Sequence, residues 1–299
     1  MATPIQPFAS APPAPGSVPA ASVPAPRMPS FLTGALRVFD LSLGRMLWSR
    51  GTVFMGLLVG LPVVIGFILF MLQAWSRLGT FQVDNKSVPG PVLFGAMMWL
   101  LYLRFIVPVL AVFYGTSLVA DEVEDKTITY LFTRPIPRGA VMAGKYLAYL
   151  VCTIMVVLPS VMLVYFLVVP FGGGSIAASF PDLIKDLVLL AIGLIAYGAV
   201  FAWVGARFNR PLLTGLIFVF GWEQIALVLG YLKRFTVIYY VQGLVPHAMP
   251  SDSLLGVLQS LVVDTPSLFT SLASLAAITG LFLWWAIRIV EQREYVLEQ

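Results

Sequence analysis

The chain has 299 residues, of which 59% are hydrophobic and only 11% carry charge, with a formal net charge of +4. A soluble domain carries about 25% charged residues because its surface must be hydrated, so this composition excludes a soluble globular protein and indicates a membrane protein. The basic residues are scattered between apolar runs, which excludes a nucleic-acid footprint, and one cysteine (Cys152) and one histidine (His247) give neither a disulfide nor a ligand set for zinc or haem.

Residues 1–29 are rich in Pro and Ala, and Arg27 is their only charge. They lack the charged n-region and long apolar h-region of a cleaved signal peptide. Proline at this density removes backbone donors and favours extended conformations, so a disordered tail is expected. From Ser30 to Arg50 the pattern changes. Phe31, Leu32, Ala35, Leu36, Phe39, Leu43, Met46 and Leu47 recur at three- and four-residue steps, while Arg37, Asp40 and Ser42 fall elsewhere on the wheel. This spacing predicts an amphipathic helix lying in the membrane interface, capped by Ser30.

A helix needs roughly 20 apolar residues to span a bilayer. Six stretches qualify, at about 52–74, 92–119, 141–169, 183–206, 212–232 and 268–289. Each must be helical, because backbone groups in lipid have no water to bond; the runs do not alternate as barrel strands would. The expected fold is therefore an all-α integral membrane protein with six transmembrane helices in a domain over 51–290. A short tail over 291–299 follows. The stretch Asp264 to Ser267 reads as the cap of the last span, with Pro266 in its first turn. Leu254 to Val263 is apolar but too short to cross.

Lysine and arginine in short loops set orientation. With six spans, one side collects Arg27, Arg37, Arg45, Arg50, Lys126, Arg134, Arg138, Lys145, Arg207, Arg210, Arg288 and Arg293. The other side has Arg77, Lys86, Lys185, Lys233 and Arg234. The bias predicts cytoplasmic N and C termini and puts the long connection Lys233 to Ser267 outside.

The most informative connection is Asp121 to Tyr146, DEVEDKTITYLFTRPIPRGAVMAGKY. It leaves the second span with Asp121, Glu122, Glu124 and Asp125. Pro135 and Pro137 then bar a continuous helix, so a short helix, a rigid turn and the third span are expected. Read from the residues alone, the segment is a solvated loop whose basic residues set topology. The dense acidic group also has the ligand chemistry for Mg²⁺.

An acidic cluster after the second span, then Thr127, Leu131 and Phe132, then Pro135, Ile136, Pro137, Arg138, and Gly144-Lys145 opening the next span, resembles the permeases of ATP-binding-cassette transporters of the type-2 exporter class (ABC-2 type). The sequence departs from that pattern at Lys126, where the family often has Gly, and at Pro137, where it often has Ser. The layout of interfacial helix, six spans and long outer segment is similar as well. The resemblance implies a permease that is not itself an enzyme. It would bind no cofactor of its own, and ATP and Mg²⁺ would sit on a separate cytoplasmic ATPase subunit. The sequence indeed has no G-x-x-x-x-G-K-[ST] loop. The resemblance further implies two ATPase copies, a second permease chain, surrounding membrane lipids, a bacterial inner membrane, and an elbow role for the Ser30–Arg50 helix. It assigns ATPase coupling to Asp121, Glu122, Glu124, Asp125, Thr127, Leu131, Phe132, Arg134, Pro135, Arg138 and Lys145.

Two charges fall inside expected spans, Arg104 and Glu223. Such charges pair with one another or line a pathway. Arg104 lies about thirteen residues from the outer end of its span and Glu223 about eleven from the cytoplasmic start of its own, so at ~1.5 Å per residue an ion pair near mid-depth is geometrically possible. Trp48, Trp75, Trp284 and Trp285 fit interfacial belts. Gly56, Gly60, Gly193 and Gly198 are positions that let helices approach. The competing classes are an intramembrane lipid-modifying enzyme or protease, for which no G-x-S-x-G or H-E-x-x-H motif is present, and a secondary transporter, which would show an internal repeat.

Overall fold

The computed structural model describes residues 30–48, 50–76, 82–83, 86–87, 89–119, 137–170, 173–228, 230–245 and 266–292. Helix α1 (Phe31–Leu47) begins where the Ser30 hydroxyl accepts from the Thr33 amide at 3.3 Å, which satisfies one of the orphan donors at the helix start. α2 (Arg50–Ser76) follows, then a minimal antiparallel pair of strands, β1 (Gln82–Val83) and β2 (Lys86–Ser87). α3 (Gly90–Val119), α4 (Arg138–Val168) and α5 (Ile176–Arg207) come next. α6 occupies 211–228, a 3₁₀ turn Gly230–Phe235 succeeds it, α7 is Val237–Gln242 and α8 is Leu268–Gln292.

Among the described residues five helices, α2 to α5 and α8, are long and apolar enough to cross a membrane. The stretch expected as the fifth of six spans, 212–232, is different. Its apolar helix is shorter, Pro211–Ala226, and the chain continues as a 3₁₀ turn and then as α7. Gly215 lies against Val112 and Phe201, whereas Gly243 lies against Ser271 and Pro266. The passage between those two places is thus made in pieces. The fourth span also begins earlier than hydropathy placed it, at Ile176 rather than 183, so Asp186 is buried well inside the helix instead of marking its start. Ser267, within the stretch expected to cap the last span, caps α8: its hydroxyl accepts from the Thr270 amide at 3.3 Å, and Pro266 immediately precedes it.

α4 and α5 form the centre, with α1, α2, α3 and α8 packed around them. The largest fully buried side chains include Tyr102, Tyr149, Tyr165, Tyr197, Phe94 and Phe201. A buried phenol in lipid must find a protein acceptor, and these do. Tyr102 and Ser160 share a 2.6 Å hydrogen bond, and Ser160 donates on to the Val59 carbonyl at 2.9 Å, which ties α2, α3 and α4. Tyr146 donates to the Ile195 carbonyl at 2.7 Å and Tyr149 to the Leu194 carbonyl at 3.0 Å, tying α4 to α5. A Cβ on Gly198 would stand 2.2 Å from the Tyr149 ring, so glycine is required for that ring to lie on α5. Gly56 and Gly60 face open space within this chain; the close helix approaches are made instead by Gly144 and Gly205.

Several contacts fix which ends lie together. A Cβ on Gly144 of α4 would come 2.4 Å from the Ala35 carbonyl of α1. Arg138 at the start of α4 donates to the Glu291 carbonyl at the end of α8, at 3.4 Å. Gly205 near the end of α5 lies against the Thr116 carbonyl near the end of α3. At the opposite end, Gly174 meets Pro91.

Candidate functional site

Two places bear on function. The first is the base from which the connection between α3 and α4 leaves the bundle. Residues 120–136, which include Asp121, Glu122, Glu124, Asp125, Thr127, Leu131, Phe132, Arg134 and Pro135, lie outside the described residues. Its two roots are described. The Lys145 ammonium donates to the Leu118 carbonyl at 2.9 Å. A cation on the last carbonyls of a helix satisfies orphan acceptors and opposes the negative end of the helix dipole. The other root, Arg138, lies against the last turn of α8. α1 closes the remaining side through Gly34, Ala35 and Val38, the buried residues of that helix. The start of α4 is therefore held against three helices at once: α3 through Lys145, α8 through Arg138 and α1 through Gly144.

The second place is a polar cluster in the middle of α3 and α6. Pro108 lacks an amide hydrogen, and its ring would clash with the carbonyl of Arg104, four residues earlier. α3 accommodates it by widening into π-helical turns at Met98–Ile106 and Ala111–Gly115. The Val107 amide accordingly bonds the Tyr102 carbonyl, five residues back. α6 has the same feature at Phe218–Trp222, where the Glu223 amide bonds the Phe218 carbonyl. Both intramembrane charges thus stand at widened turns.

The structure brings Arg104 and Glu223 into one cluster, within electrostatic reach of each other, but no salt bridge joins them. The Arg104 guanidinium donates to the Gln224 side-chain oxygen at 2.5 Å and lies 5.2 Å from the centre of the Trp99 ring. Glu223 is 2% exposed. Its two carboxylate oxygens receive the Tyr197 hydroxyl at 2.9 and 2.8 Å, and the backbone amides of Val237 and Ile238 face the same group. Those amides open α7. The carboxylate therefore holds the returning segment 237–242 against α5 and α6. This accounts for the interruption of the apolar run 211–242: a lone carboxylate on a straight lipid-facing helix would be costly, and the chain folds back to supply donors.

Sequence reasoning missed Gln224, Tyr197, Pro108 and the buried helix α7. Pro108 was the available signal for a distorted α3 at Arg104. α7 is too short to register as a span, although Val237-Ile238-Tyr239-Tyr240-Val241 is an apolar run. His247 and the apolar stretch 254–263 lie outside the described residues. The expected interfacial tryptophans are exposed near helix ends: Trp48, Trp75, Trp284 and Trp285. No group of three or more His, Cys, Asp or Glu side chains converges among the described residues.

A bundle of long apolar helices around buried tyrosines, with a charged cluster in the middle of two of them, is a multi-pass membrane protein. The chain belongs to the ABC-2 family transporter proteins, whose family model matches residues 49–284. Comparison with curated proteins returns no match.

Proposed function

We propose that this chain is the membrane-spanning permease subunit of an ATP-binding-cassette exporter, driven by ATP hydrolysis on a separate cytoplasmic ATPase. The observation that carries this reading is the family match across α2 to α8, which lends weight to the docking reading of 121–146. In this account the acidic residues Asp121, Glu122, Glu124 and Asp125 meet basic groups on the ATPase, and charge complementarity fixes partner choice and register. Arg138 and Lys145 root the element, so a push on it is transmitted to α1, α3, α4 and α8 together. Two ATPases with bound ATP and Mg²⁺ close on each other and rock two permease chains between states that differ in accessibility. The end of the bundle holding α1, Lys145 and Arg207 is cytoplasmic, following the distribution of Lys and Arg. The membrane is a bacterial inner membrane.

The test is co-purification, in mild detergent, with a candidate ABC ATPase co-expressed with this chain. Wild type is compared with a variant carrying Glu122→Gln, Glu124→Gln and Asp125→Asn. A stable complex that the variant fails to form supports the reading. A folded wild-type chain that holds no ATPase overturns it in favour of a secondary transporter, whose broken helices at mid-depth the α6–α7 passage resembles.

A further inference from the structure

A guanidinium in the middle of a membrane-crossing helix needs compensation. Arg104 is half-buried, and its protein partners among the described residues are one neutral acceptor, Gln224, and one ring face, Trp99. Glu223 is near, but its oxygens are engaged by Tyr197 and faced by the α7 amides. Arginine carries five N–H donors in a planar fork suited to bidentate contact with phosphate or carboxylate. Most of that fork has no acceptor among the described residues.

The surroundings are as informative as the charge. Arg104 and Gln224 meet at the seam between α3 and α6. Beside them Phe105 and Phe220 meet with ring centroids 6.2 Å apart, and both rings are exposed. Ile217 and Ile225 continue the exposed apolar strip on α6. A cation thus opens onto an aromatic and aliphatic face in mid-bundle, a surface matched to an anionic head on an apolar chain.

We infer that Arg104, framed by Trp99, Gln224, Phe105 and Phe220, is the recognition point for an anionic amphiphile, a phosphate or carboxylate carried on hydrocarbon. Resting on the exporter reading above, this names the substrate class of the permease. Trp99 holds the guanidinium flat, Gln224 fixes its rotation, and the two phenylalanines receive the first part of the chain. An acid from a second copy of this chain is the competing occupant.

Native mass spectrometry of the full-length protein in neutral detergent tests this without any ATPase, so its failure is distinguishable from failure of the permease reading. Phosphatidylglycerol and phosphatidylcholine of identical acyl chains are titrated separately. Wild type is expected to retain phosphatidylglycerol preferentially. Arg104→Gln removes a charge-assisted contact and is expected to weaken that retention at least about tenfold, with Arg104→Lys intermediate because it keeps the charge and loses the fork. Arg45→Gln, at the membrane-surface helix, leaves the preference in place. Equimolar inorganic phosphate does not displace the lipid. The inference is overturned if wild type shows no headgroup preference, if Arg104→Gln retains phosphatidylglycerol like wild type, or if phosphate alone competes. It is also overturned if Arg104→Gln merely converts a dimer to monomer, which identifies the second copy as the occupant. Should Arg104→Gln fail to fold, the wild-type preference and the Arg104→Lys titration decide the matter.

Discussion

Gly144 is a point of close approach between α4 and α1, and substituting it tests whether that seam holds the interfacial helix in place. A Cβ there would stand 2.4 Å from the Ala35 carbonyl, 3.0 Å from the Val38 Cβ and 3.1 Å from the Phe39 amide nitrogen. Two of the three are backbone atoms, which cannot rotate away, so α1 must move off α4 by a sizeable fraction of an ångström. Overpacking of this kind costs about 1–3 kcal/mol. At roughly 2–4 °C per kcal/mol for a chain of this order of size, Gly144→Ala is expected to lower the melting temperature in detergent by several degrees. Gly56→Ala is the control, because nothing lies within 4 Å of its added Cβ, and it is expected to leave melting unchanged or slightly raised. Thermal unfolding followed by size-exclusion chromatography gives both values. Limited proteolysis between α1 and α2 should also accelerate in Gly144→Ala alone. Equal melting temperatures for the two variants would refute the argument that the glycine is needed for contact with α1.

The polar cluster and the connection base give further expectations. Glu223→Leu strands the Tyr197 hydroxyl and the two α7 amides and should destabilise by at least about 3 kcal/mol, at ~1–3 kcal/mol per orphaned group. Glu223→Gln keeps an acceptor and should cost less than about 1 kcal/mol in the same melting assay. If the glutamine is as damaging as the leucine, the negative charge itself is what matters, and a direct partnership with Arg104 regains support. Lys145→Met removes the ammonium from the Leu118 carbonyl and should cost about 0.3–1 kcal/mol while weakening ATPase binding. Hydrogen exchange at the end of α3 measures the loosening, and unchanged protection there would exclude a capping role.

The helices were legible because lipid enforces a simple rule: long apolar runs must be helices with internally satisfied backbones. Runs such as Gly51–Leu72 and Leu268–Gln292 carry that signal with little interference. It failed where polar side chains find partners distant in sequence. Hydropathy treats Asp186 as a border residue and Glu223 as an interruption, because it cannot register that Tyr197, 26 positions away, donates to Glu223. The same blindness hid α7, whose burial depends on α5, α6 and α8 rather than on its own six residues. The two intramembrane charges were identifiable individually. Their actual partners, Gln224 and Tyr197, lie on other helices, and the π-helical turns beside Arg104 and Glu223 shift those side chains away from ideal helical spacing. Among glycines, Gly198 has the close contact that its small size invites, whereas Gly56 and Gly60, with the same spacing signal, face open space. A small-residue pattern therefore identifies positions that permit approach without saying which helix, if any, approaches.

The most direct test of the permease account is ATP hydrolysis by the candidate partner ATPase in proteoliposomes, measured alone, with the wild-type chain, and with the Glu122→Gln, Glu124→Gln, Asp125→Asn variant. The account predicts that hydrolysis rises when the wild-type chain is present, that phosphatidylglycerol raises it further, and that the variant gives the rate of the ATPase alone. Hydrolysis that is indifferent to a folded wild-type chain would contradict it.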